Sequence, residues 1–364
     1  MRRLSNEEIL SRGYQFLLRR PDPSRILWLT LGVTYRCDGH CPMCSIWKRY
    51  REHPELGGRE LRVEEYVRFL SSPFMDHLQG VGLTGGEPFL RDDIVQIAEA
   101  AITLHPDALL SIASNGLNPD RIERMTGEIL KRDPEVLSIS LSLDGDRSVH
   151  NAIRGTPAAF DRLMETVERL RHHDVNMGFN FTLTPENWQS LADVDVLADQ
   201  LGIPLLVNYA HTSTHYYGNP DFSGVPDDHL DDIDSQIHRI AQKRVRSESF
   251  FRRIIDPYPY FLMGCSRHQR MRCQLVPCHS GTHSLFLDPQ GTVYPCIIRD
   301  FPLGNIREME FQDLWTARRA DECRRSITAG ECHCWVACEA VPSILRGLSS
   351  VSWNLKDLGR GDMQ

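Results

Sequence analysis

The chain has 364 residues, 41% of them hydrophobic, which is enough for one barrel-sized domain and a smaller companion. Its formal net charge of −8 and pI near 6.0 exclude a dedicated nucleic-acid binder and disfavour polyanionic substrates, because phosphate contacts need a basic face. Eleven cysteines, an odd number in tight clusters, appear with no visible signal peptide and no apolar run longer than Ile26–Val33, so metal-binding thiols in a cytoplasmic protein without a membrane span are expected.

Residues 5–19 set Ile9, Leu10, Tyr14, Phe16, Leu17 and Leu18 among charges and predict a helix ending before Pro21 and Pro23, a cap formed by residues 1–24. Residues 26–34 read as a buried strand. From its carboxyl end leaves the stretch Cys37-Asp38-Gly39-His40-Cys41-Pro42-Met43-Cys44. Three thiolates on one short loop can hold three irons of a cubane 4Fe–4S cluster, and with no fourth cysteine nearby one iron is left open. A zinc knuckle, which normally takes a fourth Cys or His close by, and three unrelated core cysteines compete for the same stretch.

Beyond the loop, helices predicted at 63–70, 93–104, 119–131, 158–172 and 187–201 alternate with strands at 79–84, 109–114, 136–143, 177–183 and 204–209. Such βα repetition implies an α/β fold with a parallel sheet and right-handed crossovers, and six strands fall short of the eight that close a full barrel. Parallel barrels carry their chemistry on the loops that follow the strands. At those strand ends lie Gly85, Gly86 and Glu87, where two glycines permit close backbone approach to a ligand and the carboxylate can accept from an ammonium. Ser114, Ser142 and Asp144 close the next two strands with polar groups able to reach the barrel mouth, where plain turns are the competing reading. Arg154, in Asn151-Ala152-Ile153-Arg154-Gly155, carries a guanidinium able to fork onto a carboxylate; a solvated surface arginine is the alternative. Asn180 faces either the mouth or a neighbouring strand, and Trp47 is a pocket wall or core.

Residues 211–226 read as a long loop whose His211, His215, Tyr216 and Tyr217 are assigned no catalytic role, and residues 227–246 as a charged helix. Eight cysteines then crowd between Cys265 and Cys338, which places a boundary near residue 255: barrel and following helix at 25–255, cysteine-rich domain at 256–364. Within it, Leu287–Cys296 reads as a hairpin with a Pro-Gln-Gly turn.

The cysteine loop resembles the signature of the radical S-adenosylmethionine (SAM) superfamily, and the resemblance covers roughly residues 25–210. It implies a partial (β/α)6 TIM-like barrel with a small C-terminal α+β iron–sulfur domain, a 4Fe–4S cluster on Cys37, Cys41 and Cys44, and SAM chelating the open iron. It further implies that Gly85, Gly86 and Glu87 bind the SAM amino group, that Ser114, Ser142 and Asp144 contact its sulfonium region, carboxylate and ribose, and that Arg154 meets its carboxylate. Met43 departs from the family's usual aromatic residue, leaving the backbone there to read the adenine edge. The order Cys278, Gly291, Cys296, then Cys332, Cys334 and Cys338 is similar to the SPASM and Twitch extensions. It implies one auxiliary 4Fe–4S cluster on Cys278, Cys296, Cys334 and Cys338, with Cys332 or Cys273 as substitute ligand and a zinc site as the alternative; Cys265 and Cys323 are unassigned. The expected activity is reductive SAM cleavage and hydrogen-atom abstraction from a small metabolite, sugar or peptide, with an oxidation if the auxiliary cluster accepts an electron. A reductant such as flavodoxin or ferredoxin is the expected partner. The short segment before the first strand weakens a ribosomal-peptide substrate. A zinc-binding scaffold with a degenerate barrel is the competing class.

Overall fold

A computed structural model of the chain describes residues 25–132, 137–245, 278–332, 334, 336 and 339. The expected helix at 5–19, together with Cys265, Cys273 and Cys338, lies outside the described residues. In chain order the elements are β1 (Trp28–Thr34), α1 (Ile46–Glu52), α2 (Val63–Leu70), β2 (Gly80–Gly85), α3 (Ile94–Leu104), β3 (Leu109–Ser114), α4 (Pro119–Leu130), β4 (Leu137–Ser142), α5 (Arg147–Arg154), α6 (Ala159–Arg171), β5 (Asn176–Leu183), α7 (Leu191–Leu201), β6 (Leu205–Tyr209) and α8 (Leu230–Val245). The C-terminal part adds β7 (Ser284–Leu287), β8 (Thr292–Tyr294), β9 (Gly304–Asn305), α9 (Phe311–Thr316) and α10 (Arg318–Thr328).

One sheet runs in the order β6-β5-β4-β3-β2-β1-β7-β8-β9. Strands β1 to β6 pair in parallel with their neighbours, as the alternation requires, so every carboxyl end opens on the same rim. The partial barrel expected from the sequence is therefore present. β1 is buried along six of its seven residues, whereas β3 and β4 alternate buried and half-buried positions in the period of a strand with one face packed. The helices supply the other layer; α6 buries Ala159, Leu163, Thr166, Val167 and Leu170, one stripe of a 3.6-residue period.

Two features go beyond the sequence reading. β7 pairs in parallel with β1, from Trp28 opposite Ser284 to Leu31 opposite Leu287, so the cysteine-rich part extends the barrel sheet. The hairpin expected at 287–296 is formed by β7 and β8, with Asp288 Oδ1 accepting from the Gln290 and Thr292 amides at 2.8 Å and Gly291 at φ 93°. Helices α1, α5, α9 and α10 were not predicted; α1 and α9 hold under two turns, whereas the eleven residues of α10 carry six charges around the buried Ala320, Cys323 and Ile327.

Candidate active site

The cysteine loop leaves β1 through a local irregularity. The β1–β2 register slips between Gly32 and Thr34, and Gly85 crosses it with φ 142°; a Cβ there would stand 2.2 Å from the Thr34 carbonyl oxygen. A Cβ on Gly86 would stand 2.1 Å from the Arg36 carbonyl oxygen. The glycine pair thus permits close approach of the chain to itself, Gly86 N donating to Thr34 O at 2.8 Å and Glu87 N to Arg36 O at 2.7 Å. Beneath, buried Arg91 donates to Val33 O at 2.6 Å and pairs with Asp93.

Glu87 is 1% exposed. Its Oε1 accepts from Phe89 N at 3.1 Å and Ser114 Oγ at 3.0 Å, and its Oε2 from Asn115 N at 2.7 Å. A carboxylate has about four lone-pair directions, so one is left for a further donor. Burial pushes the acid up to about 7, against the pull of the Asn115 amide. Ser114, predicted as a SAM contact, is spent on Glu87 and on the Gly116 amide.

Asp144 and Arg154, predicted as separate contacts, are paired with each other. Asp144, fully buried, also accepts from Thr182 N at 3.0 Å. Arg154, 8% exposed, directs Nη1 at Cys41 Sγ (3.7 Å), and its Nε has no partner among the described residues. Ser142 sits opposite Asn180 in the sheet, and Asn180 donates to Ser140 Oγ at 2.6 Å, so it faces the neighbouring strand.

The loop is held from three sides. The end of α5 clasps it: His40 N donates to Arg154 O at 2.8 Å, and Gly155, at φ 59°, passes where a Cβ would stand 2.7 Å from His40 O. Asn115 Nδ2 donates to Asp38 Oδ1 at 2.7 Å and lies 4.0 Å from Cys37 Sγ. The segment after β6 straps the far side: Asn219 donates to Met43 O at 2.6 Å, Ser45 N donates to Tyr217 O at 2.8 Å, and the Tyr216 hydroxyl reaches Gly85 O at 3.1 Å. Met43 itself is buried, 8% exposed. Asn219 was missed, while Asn115 was seen only as part of a strand-end turn and Tyr216 only as a loop residue without a role; the sequence signal for the strap was the density of polar and aromatic residues at 211–219.

Cys37, Cys41 and Cys44 are free and half-buried. Burial raises all three thiols, Cys44 to about 12, while Arg154 opposes the rise at Cys41. Such thiols become thiolates when a metal takes the proton's place, and the unpartnered Arg154 Nε beside them is a donor waiting for an acceptor; this donor set fits an iron–sulfur cluster with an anionic ligand. At the C-terminal group, Cys278 Sγ contacts Ser280 Oγ at 3.2 Å, and Cys296 Sγ accepts from Arg299 N at 3.3 Å. Cys278, Cys334 and the buried Glu339 lie near enough to Cys296 that each raises its thiol, after burial. Glu339 accepts from Ser280 and Ser284. Cys332 packs on the core and Cys323 is 1% exposed inside it, a plain core residue. Cys338 lies outside the described residues. Among the described residues no three His, Cys, Asp or Glu side chains are gathered closely enough to hold a single metal ion.

Residues 31–198 match the radical SAM superfamily, and residues 278–339 match the iron–sulfur cluster-binding domain SPASM. The chain carries a radical SAM domain followed by a SPASM domain. These domains imply a 4Fe–4S cluster, SAM and an auxiliary iron–sulfur cluster. Two curated relatives are named AdoMet-dependent heme synthase. The one from Methanosarcina barkeri is 25% identical over 315 residues, covering 80% of this chain and 82% of its own; the one from Nitratidesulfovibrio vulgaris is 25% identical over 327 residues, covering 82% and 80%. Among solved structures, Streptococcus suis SuiB bound to S-adenosylmethionine shares 16% identity at a TM-score of 0.60, covering 83% of this chain and 68% of that one. Native anSMEcpe with bound AdoMet and a peptide shares 16% at 0.58, covering 83% of each. These two likenesses concern the fold. Among the described residues no helix is long and apolar enough to cross a membrane.

Proposed function

We propose that this radical SAM enzyme cleaves SAM reductively and removes a hydrogen atom from an unactivated carbon of a small-molecule or peptide substrate, with the auxiliary cluster taking an electron from the substrate radical in a net oxidation. Bound to the cysteine loop, the cluster and SAM together supply a 5′-deoxyadenosyl radical, and that chemistry belongs to the cofactors. The observation that carries the reading is the set of three free thiols at the carboxyl end of β1, braced by Asn115, Arg154 and the strap from β6.

In this reading Cys37, Cys41 and Cys44 hold three irons, and Glu87 offers its remaining lone pair to the SAM ammonium. Gly85 and Gly86 bring that carboxylate under the loop. Arg154, neutralised by Asp144, presents Nε to the SAM carboxylate, while Ser142 and the Met43 backbone line the ribose and adenine. Cys278, Cys296, Cys334 and Cys338 hold the auxiliary cluster, with Cys332 or Cys273 as substitute. The name of the curated relatives puts heme formation among the reactions to test, and favours a small molecule over a peptide.

Anaerobic reconstitution tests the reading. Iron and sulfide in equal amounts, visible charge-transfer absorption and release of 5′-deoxyadenosine on reduction are expected, and Cys37→Ala, Cys41→Ala and Cys44→Ala should each abolish that release. Colourless protein holding only zinc, or release surviving in any of the three variants, would overturn it.

A further inference from the structure

Reductive cleavage needs an electron from outside the chain, and a chain of net −8 repels an acidic carrier over most of its surface. Among the described residues, a basic stretch lies beside the cysteine loop. Directly after Cys44, α1 carries Trp47, Lys48, Arg49 and Arg51 against a single carboxylate, Glu52. Arg49 is turned inward, donating to the Thr214 and His215 carbonyls and covering the Tyr35 ring at 4.4 Å. Lys48 and Arg51 remain exposed and form no ion pair among the described residues; both lie over the Trp47 ring, at 5.4 and 5.2 Å. Exposed Arg36 lies on the Tyr50 side of the same helix, its Nη2 3.8 Å from where a Cβ on Gly57 would stand, and acts on the Asp92 carboxylate. The nearby Glu55 is within 3.4 Å of His53.

Trp47 is half-buried, and its indole N–H has no partner among the described residues. Its ring meets His40, inside the cysteine loop, edge-on at 4.8 Å. A tryptophan rimmed by cations is the composition of a binding hot spot, and here it is one ring contact from the loop that takes the electron.

We propose that Trp47, Lys48 and Arg51 form the docking face for a small acidic one-electron carrier protein. This rests on the reductive cleavage proposed above. One electron leaves the carrier's reduced flavin or iron–sulfur centre, oxidising it by one, and enters the cluster on Cys37, Cys41 and Cys44, reducing it by one; no bond is made or broken.

The test uses reconstituted holoenzyme with reduced flavodoxin as the protein probe and dithionite as the small one, following cluster bleaching by stopped flow. Lys48→Glu with Arg51→Glu should slow reduction by flavodoxin roughly ten-fold or more at low salt and leave dithionite reduction unchanged. Arg162→Glu with Lys131→Glu, the same charge change in α6 and at the end of α4, should leave both rates unchanged. Lys48→Gln with Arg51→Gln should give an intermediate loss if the reversal does not fold, and the wild-type flavodoxin rate should fall as salt rises. A patch variant matching the wild type, a control variant equally slowed, parallel loss with dithionite, or a salt-independent rate would each overturn the docking face. Normal bleaching by flavodoxin without 5′-deoxyadenosine release would instead sink the proposed cleavage and leave the docking face standing.

Discussion

Glu87 braces the strand ends in a way that a glutamine could not. Its Oε1 takes two donors and its Oε2 one, so an amide would keep its oxygen on Phe89 N and Ser114 Oγ and turn its NH2 against the Asn115 amide. Leaving that buried N–H facing a donor costs about 1–3 kcal/mol. Glu87→Gln should therefore lower the stability of the cluster-free protein by that amount in denaturant titration, and weaken SAM binding in calorimetry on the reconstituted protein. Unchanged SAM affinity would reduce the residue to a cap of the turn at Pro88–Leu90. His150 carries a second residue-scale test. It is fully buried, its Nδ1 accepts from Asp144 N at 3.1 Å, and burial pushes it down to about 4. Between its ordinary value near 6.5 and about 4 the unfolded chain binds more protons at this site than the folded one, so folding loses up to about 1.4 kcal/mol per pH unit on acidification from this group alone. His150→Gln should flatten the acid limb of the stability curve across that window; an identical slope would show that the imidazole is already charged in the fold.

At the scale of elements, the loop owes its shape to partners far away in sequence. α5 begins on Asp146, which accepts from the Ser148 and Val149 amides, and ends on Gly155, which must take φ 59° and pass close to His40. Gly155→Ala adds a left-handed alanine, costing about 1–2 kcal/mol, and drives a methyl into the loop backbone. The variant should fold yet take up less iron on reconstitution, and full iron content would dismiss the clasp. The alternation of strands and helices was legible because the helices repeat an apolar period over eight or more residues, as α6 does, and the strands between them are short apolar or alternating runs, so the strand ends followed from it. The cysteine loop was legible from spacing alone. The clasp was not, since His40 and Arg154 are joined through a carbonyl that any residue would supply, and neither was the pairing of Arg154 with Asp144, because both look like ligand contacts when each is read alone. Gly85 and Gly86 were expected to let a ligand approach the backbone closely, and in the structure they bring the chain close to its own backbone at Thr34 and Arg36. α1 was missed because seven residues hold under two turns, too few for a stripe.

At the scale of the molecule, β7 makes the cysteine-rich part an extension of the barrel. Cys296→Ala tests the chemistry without touching that continuity. It should lose about four irons, keep SAM cleavage and fail to turn over substrate, while full iron content would move the auxiliary ligands to Cys332 or to cysteines beyond the described residues. Truncation tests the continuity itself. Leu285, Phe286 and Leu287 are fully buried, and at about 1.5–3 kcal/mol for each side chain they contribute an amount comparable to the whole net stability of a domain. Their removal also bares the β1 edge from Trp28 to Leu31, an apolar strand with unpaired N–H and C=O groups, which is a template for pairing with another chain. A chain ending at residue 245 should therefore aggregate rather than yield a free barrel, whereas Cys296→Ala should remain soluble with wild-type secondary structure by circular dichroism. A soluble truncated chain that still takes up iron on Cys37, Cys41 and Cys44 would mean that β1 tolerates an open edge and that β7 covers the barrel without completing it.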